Sequence, residues 1–317
     1  MKKFIKILLI AAAALIALGI ILSVVGLVCG AKPLSMVSGG LWNVTLYEPS
    51  NHDYSADGSY QVSPDRIREL SIDWLDGNVV VEPYDGTEIL ITETASTPLT
   101  EQNSLRYKVE HGELTISCFA PSVGISFSSI HNVGEKDLHV QIPASLAKSL
   151  DSLDFDAQNA TLDVSDLQLR ELSISTLDGD ISVQNVQAGS VDFSTQNGAL
   201  LLENTTLGDV EVSGLDGDVT VKASSIRELS LDVMNGDLVA DLLQCPDEVE
   251  INSLDGNVLL MLPADSQFTA HWDGLTPNAY RSQFHGSYGD RTHIVGNGRC
   301  EIDMDTMNGT LEINPAA

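Results

Sequence analysis

Residues 175–183, STLDGDISV, place an Asp-Gly pair between two short runs of Ser, Thr, Ile and Val. Alone, the stretch admits three readings: a hairpin turn, a calcium ligand set, or one unit of a repeat. With Gly179 as position zero, the same frame recurs at Gly198, Gly217, Gly236 and Gly256, in steps of 19, 19, 19 and 20 residues. Ala160 stands 19 residues before Gly179 in the same role, and more distant copies surround Gly77 (SIDWLDGNVVVE) and Gly309 (DMDTMNGTLEIN). A weaker copy lies at Gly112 (KVEHGELTI).

Seven residues before zero stand Leu153, Leu172, Val191, Val210, Leu229 and Val249, and five before stand Phe155, Ile174, Phe193, Val212, Leu231 and Ile251. Two after come Leu162, Ile181, Leu200, Val219, Leu238 and Val258, and four after Val164, Val183, Leu202, Val221, Ala240 and Leu260. All are apolar and their neighbours are mostly polar. This is period-two alternation on both sides of a turn, hence two short strands per repeat, each with one buried face.

Two architectures fit. Asp-Gly or Asn-Gly between alternating runs is a strong hairpin signal, but hairpins in series would form one long antiparallel sheet with an apolar face that nothing else in the chain covers. In a β-solenoid each repeat is one coil, the strands of a coil face each other, and stacked coils bury a continuous core. A period that holds at 19 despite varied corner sequences favours stacking. The predicted fold is all-β: a single-stranded solenoid with coils of 19–20 residues, regular over 151–262, within a domain spanning 65–314.

The residues directly before zero are Asn159, Asp178, Asn197, Asp216, Asn235, Asp255 and, across a gap of 53 residues, Asn308. Stacked at about 4.8 Å, two like charges repel by about 0.9 kcal/mol in water. Interleaved Asn separates the charges and lets its amide donate to a neighbouring carboxylate. Because the alternation runs from Asp255 to Asn308, the last coil (299–314) is expected to stack directly on the Gly256 coil, leaving 263–298 as an excursion.

The N-terminus has another character. Residues 7–31 carry no charge, with Lys2, Lys3 and Lys6 before them and Lys32 after. That run is long enough to cross a bilayer and longer than the apolar core of a cleaved signal. An uncleaved single-pass anchor is expected, with residues 1–6 cytoplasmic and the rest outside the cell. Residues 32–64, rich in turn formers, are expected as a stalk, and 122–137 as a loop before a strand. The whole chain has net charge −29; beyond Lys32 stand 12 basic against 45 acidic residues, or −33. Such a surface excludes a nucleic-acid partner.

Candidate chemistry is thin. Asp178, Asp180, Asp216, Asp218 and Asp237 cluster at one corner, but calcium-binding solenoids use a shorter repeat with Asp in every coil, and EF-hand spacing is absent. The expectation is solvated turn carboxylates, no metal and no cofactor. No zinc-protease, nucleophile-elbow, phosphate-loop or dinucleotide motif occurs, so no catalytic residue is assigned. Of the four cysteines, Cys245 and Cys300 could pair if their coils are neighbours. Four Asn-x-Thr triplets begin at Asn43, Asn159, Asn204 and Asn308, and turn chemistry explains those in the repeats. The excursion concentrates Phe268, Trp272, Tyr280, Phe284 and Tyr288 with His271, His285 and His293 in a chain only 5% aromatic. Trp272, Tyr280, Phe284 and Tyr288 are the candidate binding patch; the competing reading is a cap over the last apolar layer.

The turns LDGDI, LDGDV, MNGDL and LDGNV, the segment HVQIPASL (139–146) and the ending VGNGRCEIDMDTMNGTLEI (295–313) resemble the putative-adhesin family of bacterial β-strand-repeat proteins, a family of unknown function. The resemblance covers roughly residues 65–314. It implies a right-handed β-helix-like domain, often membrane-anchored in Gram-positive bacteria, with some relatives linked to cell-envelope stress; no catalytic residues come with it. The expected function is that of a displayed, non-catalytic, adhesin-like protein contacting a surface or envelope ligand. The alternatives are an envelope-stress sensor or decoy for cationic peptides, and a polysaccharide-acting enzyme.

Overall fold

The structure, a computed structural model, describes residues 55–101, 103–118, 135–274 and 280–316. Every regular element among them is a β-strand, and no helix among them is long and apolar enough to cross a membrane. The expected anchor at 7–31, Asn43 and the first part of the expected stalk lie outside the described residues.

The N-terminal end is built from β1 (Ser59–Val62), β2 (Glu69–Tyr84), β3 (Ile89–Ala95), β4 (Arg106–Glu110), β5 (Glu113–Ser117) and β6 (Lys136–Pro143). β2 is the coil centred on Gly77. The chain leaves it outward, so that β5 pairs parallel with its first half (Leu70 opposite Leu114) and β6 with its second half (Val79 opposite Leu138). β4 and β3 cover these as antiparallel partners, and β1 pairs antiparallel with β3.

Three expectations change here. Ser59–Val62, placed by sequence in the stalk, is a strand of the cap. The copy at Gly112 is a hairpin turn between antiparallel β4 and β5, with positive φ at His111 and Gly112; the Gly signal is the same for both architectures because each needs a left-handed residue. Lys136 and Asp137, placed in a loop, begin β6. The Lys136 ammonium is buried 2.6 Å from Glu93 and 2.8 Å from the Asn103 carbonyl, over the Trp74 ring at 5.3 Å. Glu93 also accepts the Leu105 N–H at 2.8 Å. A buried pair so surrounded holds one arrangement of the cap, because losing either partner strands a charge.

The regular stack follows in β7 (Ser152–Ser165), β8 (Glu171–Asp178), β9 (Ile181–Gln184), β10 (Gln187–Asn197), β11 (Leu200–Glu203) and β12 (Thr206–Asp216). It continues in β13 (Val219–Asn235), β14 (Leu238–Leu242), β15 (Glu248–Asp255) and β16 (Val258–Leu262). All pairings among these strands are parallel. Leu153, Leu172, Val191, Val210, Leu229 and Val249 stand in one register column, and Leu162, Ile181, Leu200, Val219, Leu238 and Val258 in another. The solenoid reading is therefore correct. β7 returns to the inner side of β2, with Leu70 opposite Leu153 and Gly77 opposite Ala160.

Each coil also has a third short face. Ala188, Leu207 and Ile226 pair in parallel, and Leu167, Val186, Thr205 and Ser224 form a further buried column beside them. The chain reaches this face through left-handed residues at the same period, Asp166, Asn185, Asn204 and Ala223. The buried hydroxyls in the column satisfy each other: Thr205 Oγ1 and Ser224 Oγ lie 3.0 Å apart, and Ser224 donates to the Lys222 carbonyl at 2.9 Å.

The C-terminal end comprises β17 (Phe268–Gly274), β18 (Tyr280–Ser282), β19 (Ser287–Tyr288), β20 (Thr292–Ile294), β21 (Cys300–Asn308) and β22 (Leu311–Pro315). Val249 pairs with Ile302, Asp255 with Asn308 and Val258 with Leu311. The last coil thus stacks on the Gly256 coil, as the Asp255–Asn308 alternation requires. The described strands of 263–298 pass outside it: β17 pairs parallel with β21 and β18 with β22, forming one more, irregular layer.

The turn glycines form the tightest column. Gly236 has φ +147°, and a Cβ there would overlap the Gly217 carbonyl oxygen of the preceding coil. Both backbone sign and space exclude a side chain. Gly236→Ala should lower stability by about 2–4 kcal/mol, whereas Gly289→Ala, whose Cβ would meet only Thr292 at 3.7 Å, should stay within ~0.5 kcal/mol. Urea-denaturation midpoints of the full chain check this; equal midpoints for the two variants would refute it.

Candidate functional site

The turn aspartates are occupied. Asn197 donates to Asp178 and Asn235 to Asp216, each at 2.6 Å. Donation runs toward the preceding coil, so the column is a series of Asp–Asn pairs. A second column, which the sequence reading missed, lies directly after zero. At three corners the amide there points back toward the preceding coil, where a carboxylate accepts it, and an unpaired amide would be costly. Asp180 accepts the Ala199 N–H at 2.9 Å, Asp218 that of Asp237 at 2.9 Å, and Asp237 that of Asn257 at 2.7 Å. All five acids considered for calcium are thus acceptors between coils. The repeated Asp or Asn after the glycine was the available signal.

The aromatic segment forms a plug. Trp272 lies opposite Met304 and Tyr280 opposite Leu311, so they hold the inward positions five before and two after zero in the outermost layer. Their rings stack across the coil at 4.1 Å with planes 7° apart. Phe268 and Phe284 are buried and meet edge to face at 5.3 Å. Tyr288 is the exposed member of the candidate patch, its ring stacked at 4.0 Å on the buried His293. Tyr280 Oη lies 2.6 Å from His293 Nδ1. Burial pushes the Tyr280 phenol up and holds the His293 imidazole below its ordinary value.

Cys245 and Cys300 are on neighbouring coils, as pairing would require. Both are free thiols; a hydrogen bond between their side chains lowers the Cys245 pKa and raises that of Cys300.

Two further groupings were not legible. His271, Glu301 and Asp303 bring their ligand atoms within 4.8 Å of one another; His271 stands 30 residues before Glu301 in the sequence, a spacing that signals no ligand set. A lateral groove of about 710 Å³ is lined by Val233, Met234, Leu254 and Met307 with Asp232, Asp273 and Asp305. Met234, Leu254 and Met307 repeat two residues before zero, a column the sequence reading did not follow. Asn159 and Asn308 stand at zero-minus-one in their coils and Asn204 in the left-handed corner, consistent with turn chemistry for those triplets.

Strand order and ends define the class: a parallel β-solenoid whose outermost layers are supplied by two excursions of the chain. The chain belongs to the Toastrack DUF4097 family, whose model matches residues 67–314. Among proteins of curated function no sequence matches it. Of the solved structures it is similar to, a "putative adhesin" from Bacteroides fragilis is 13% identical, covering 81% of this chain and 95% of that one, with TM-score 0.39. A "putative adhesin" from Parabacteroides distasonis is 14% identical, covering 82% and 98%, with TM-score 0.39. A "putative lipid binding protein" from Parabacteroides distasonis is 13% identical, covering 82% and 95%, with TM-score 0.32.

Two predictions follow from these contacts. Asn235→Asp places a carboxylate against Asp216 in place of a donor and should cost about 1 kcal/mol at pH 7, a loss that recovers as pH falls below about 4 and the pair protonates; chemical denaturation at the two pH values checks it. Because burial depresses His293, the folded state binds fewer protons there than the unfolded state. Its share of stability is full above the unfolded pKa, about 6.5, and is lost as pH falls from there toward the folded value. His293→Phe should therefore make the melting temperature less sensitive to acidification between pH 7.5 and 5, by roughly the span of that window; an unchanged pH slope would contradict it.

Proposed function

We propose that this chain is a single-pass membrane protein, cytoplasmic at its N-terminus, that holds a right-handed β-solenoid outside the cell as an adhesin-like contact protein of the cell envelope with no reaction of its own. The uncharged run at 7–31 between lysines supports the anchor, and parallel crossovers favour right-handed winding.

The observation that carries the contact reading is how polar and apolar groups are shared out at the corner. Asp178, Asp180, Asp216, Asp218 and Asp237 are engaged between coils, while Met234, Leu254 and Met307, on successive layers, are 45%, 37% and 48% exposed. Exposed apolar side chains in a row, rimmed by Asp232, Asp273 and Asp305, suit a partner surface better than a small substrate. The excess of negative charge, −33 beyond the anchor run, supports a second reading, an envelope-stress sensor or decoy that takes up cationic peptides.

The test uses the full chain with peptidoglycan sacculi and polylysine as probes. Contact through the groove predicts sacculus binding that falls more than about tenfold in Met234→Glu/Leu254→Glu and persists at high salt. The decoy reading predicts polylysine binding that collapses with salt and ignores that variant. Release of soluble glycan from the sacculi would establish an enzyme instead. External display is checked by adding protease to intact cells, where survival of the domain would overturn it.

A further inference from the structure

On the outward face, register aligns three strands of opposite chain history. Glu250 of β15 lies opposite Asp303 of β21, which lies opposite His271 of β17; Glu248 similarly faces Glu301, and Glu301 faces Thr269. In the column just before the glycine, neighbouring carboxylates are separated by amides. Here they are not: Glu250 and Asp303, and Glu248 and Glu301, face each other directly across neighbouring strands.

Thr292 Oγ1 lies 3.2 Å from both the Asp290 carbonyl oxygen and His271 Nδ1. When its proton goes to that carbonyl, the hydroxyl accepts from Nδ1–H and Nε2 keeps its lone pair. A ring nitrogen fixed in this way by a hydrogen bond on the other nitrogen is the usual arrangement of a ligating histidine.

We propose that His271, Glu301 and Asp303 bind one divalent transition-metal ion of the zinc type. One imidazole and two carboxylates, with water in the fourth position, form a donor set suited to such an ion rather than to calcium, which takes six to eight oxygens. Bond lengths near 2.1 Å put tetrahedral ligands about 3.4 Å apart. The three ligand atoms already lie within 4.8 Å, and the exposed Glu301 has the freedom to close the remainder. Bound there, the ion neutralises the carboxylate row and clips the outermost strand β17 to β21, the last coil beneath it.

The test is a Zn²⁺ titration of the full chain by calorimetry, with melting temperature read alongside. One ion per chain is expected, with affinity reduced more than about tenfold in His271→Ala and unaltered in His285→Ala, an exposed histidine elsewhere in the cap. Asp303→Asn removes charge repulsion, so without metal it should be at least as stable as the parent, yet lose the rise in melting temperature on adding Zn²⁺. Absence of saturable Zn²⁺ binding, undiminished binding by His271→Ala, a retained Zn²⁺-dependent rise in Asp303→Asn, or displacement by equimolar Ca²⁺ would each overturn the assignment.

Discussion

Everything in the solenoid depends on how closely one coil approaches the next at the glycine corner. There the carbonyl of one zero-position residue occupies the space where the next would carry a Cβ, at Gly198, Gly217, Gly236, Gly256 and Gly309 alike. The glycine N–H donates to the carbonyl of the following coil, as Gly179 does to Asn197 at 3.1 Å and Gly217 to Asn235 at 3.1 Å. At Ala199, Asp237 and Asn257 the residue after it turns its N–H the other way, onto a carboxylate of the preceding coil. A strict period follows, because a coil one residue longer or shorter at this corner would misplace every inward side chain.

A stack of identical coils would leave open edges at both ends, and exposed strand edges invite pairing with other chains. Here the same solution appears twice. The outer coil at each end of the stack is overlaid by strands of an excursion, β5 and β6 on β2 and β17 and β18 on β21 and β22. At the first end the overlay is held by the Lys136–Glu93 pair and Trp74; at the second it is closed by the Trp272–Tyr280 stack and His293. The terminal layers are thus the least repetitive part of the fold and hold most of its unusual side chains.

This division explains why the aromatic cluster reads ambiguously. Trp272, Tyr280 and Phe284 are concentrated in one segment because they fill an end of the core, where larger side chains replace the missing neighbour. Their exposure differs by position: Phe284 is buried and Tyr288 is open. The exposed apolar row of Met234, Leu254 and Met307, by contrast, lies within repeats that look regular, and it is visible only when the column two before the glycine is followed from coil to coil.

The sequence by itself determined the period, the four inward columns on the two main faces, the Asp/Asn alternation and the direct step from Asp255 to Asn308. These depend on relations that recur every 19 or 20 residues, so a repeat displays them without coordinates. It also held the signals for the third face and the second acceptor column, in Asn185, Asn204, Asp180 and Asp218. Those were masked because Asn and Asp suit turns in general. Only the tertiary structure decided which layer is outermost, that Gly112 is a hairpin, and that His271 meets Glu301 and Asp303. Each of these depends on an excursion that stacks layers out of sequence order, and no periodic pattern in the chain records which strand such a segment finally pairs with.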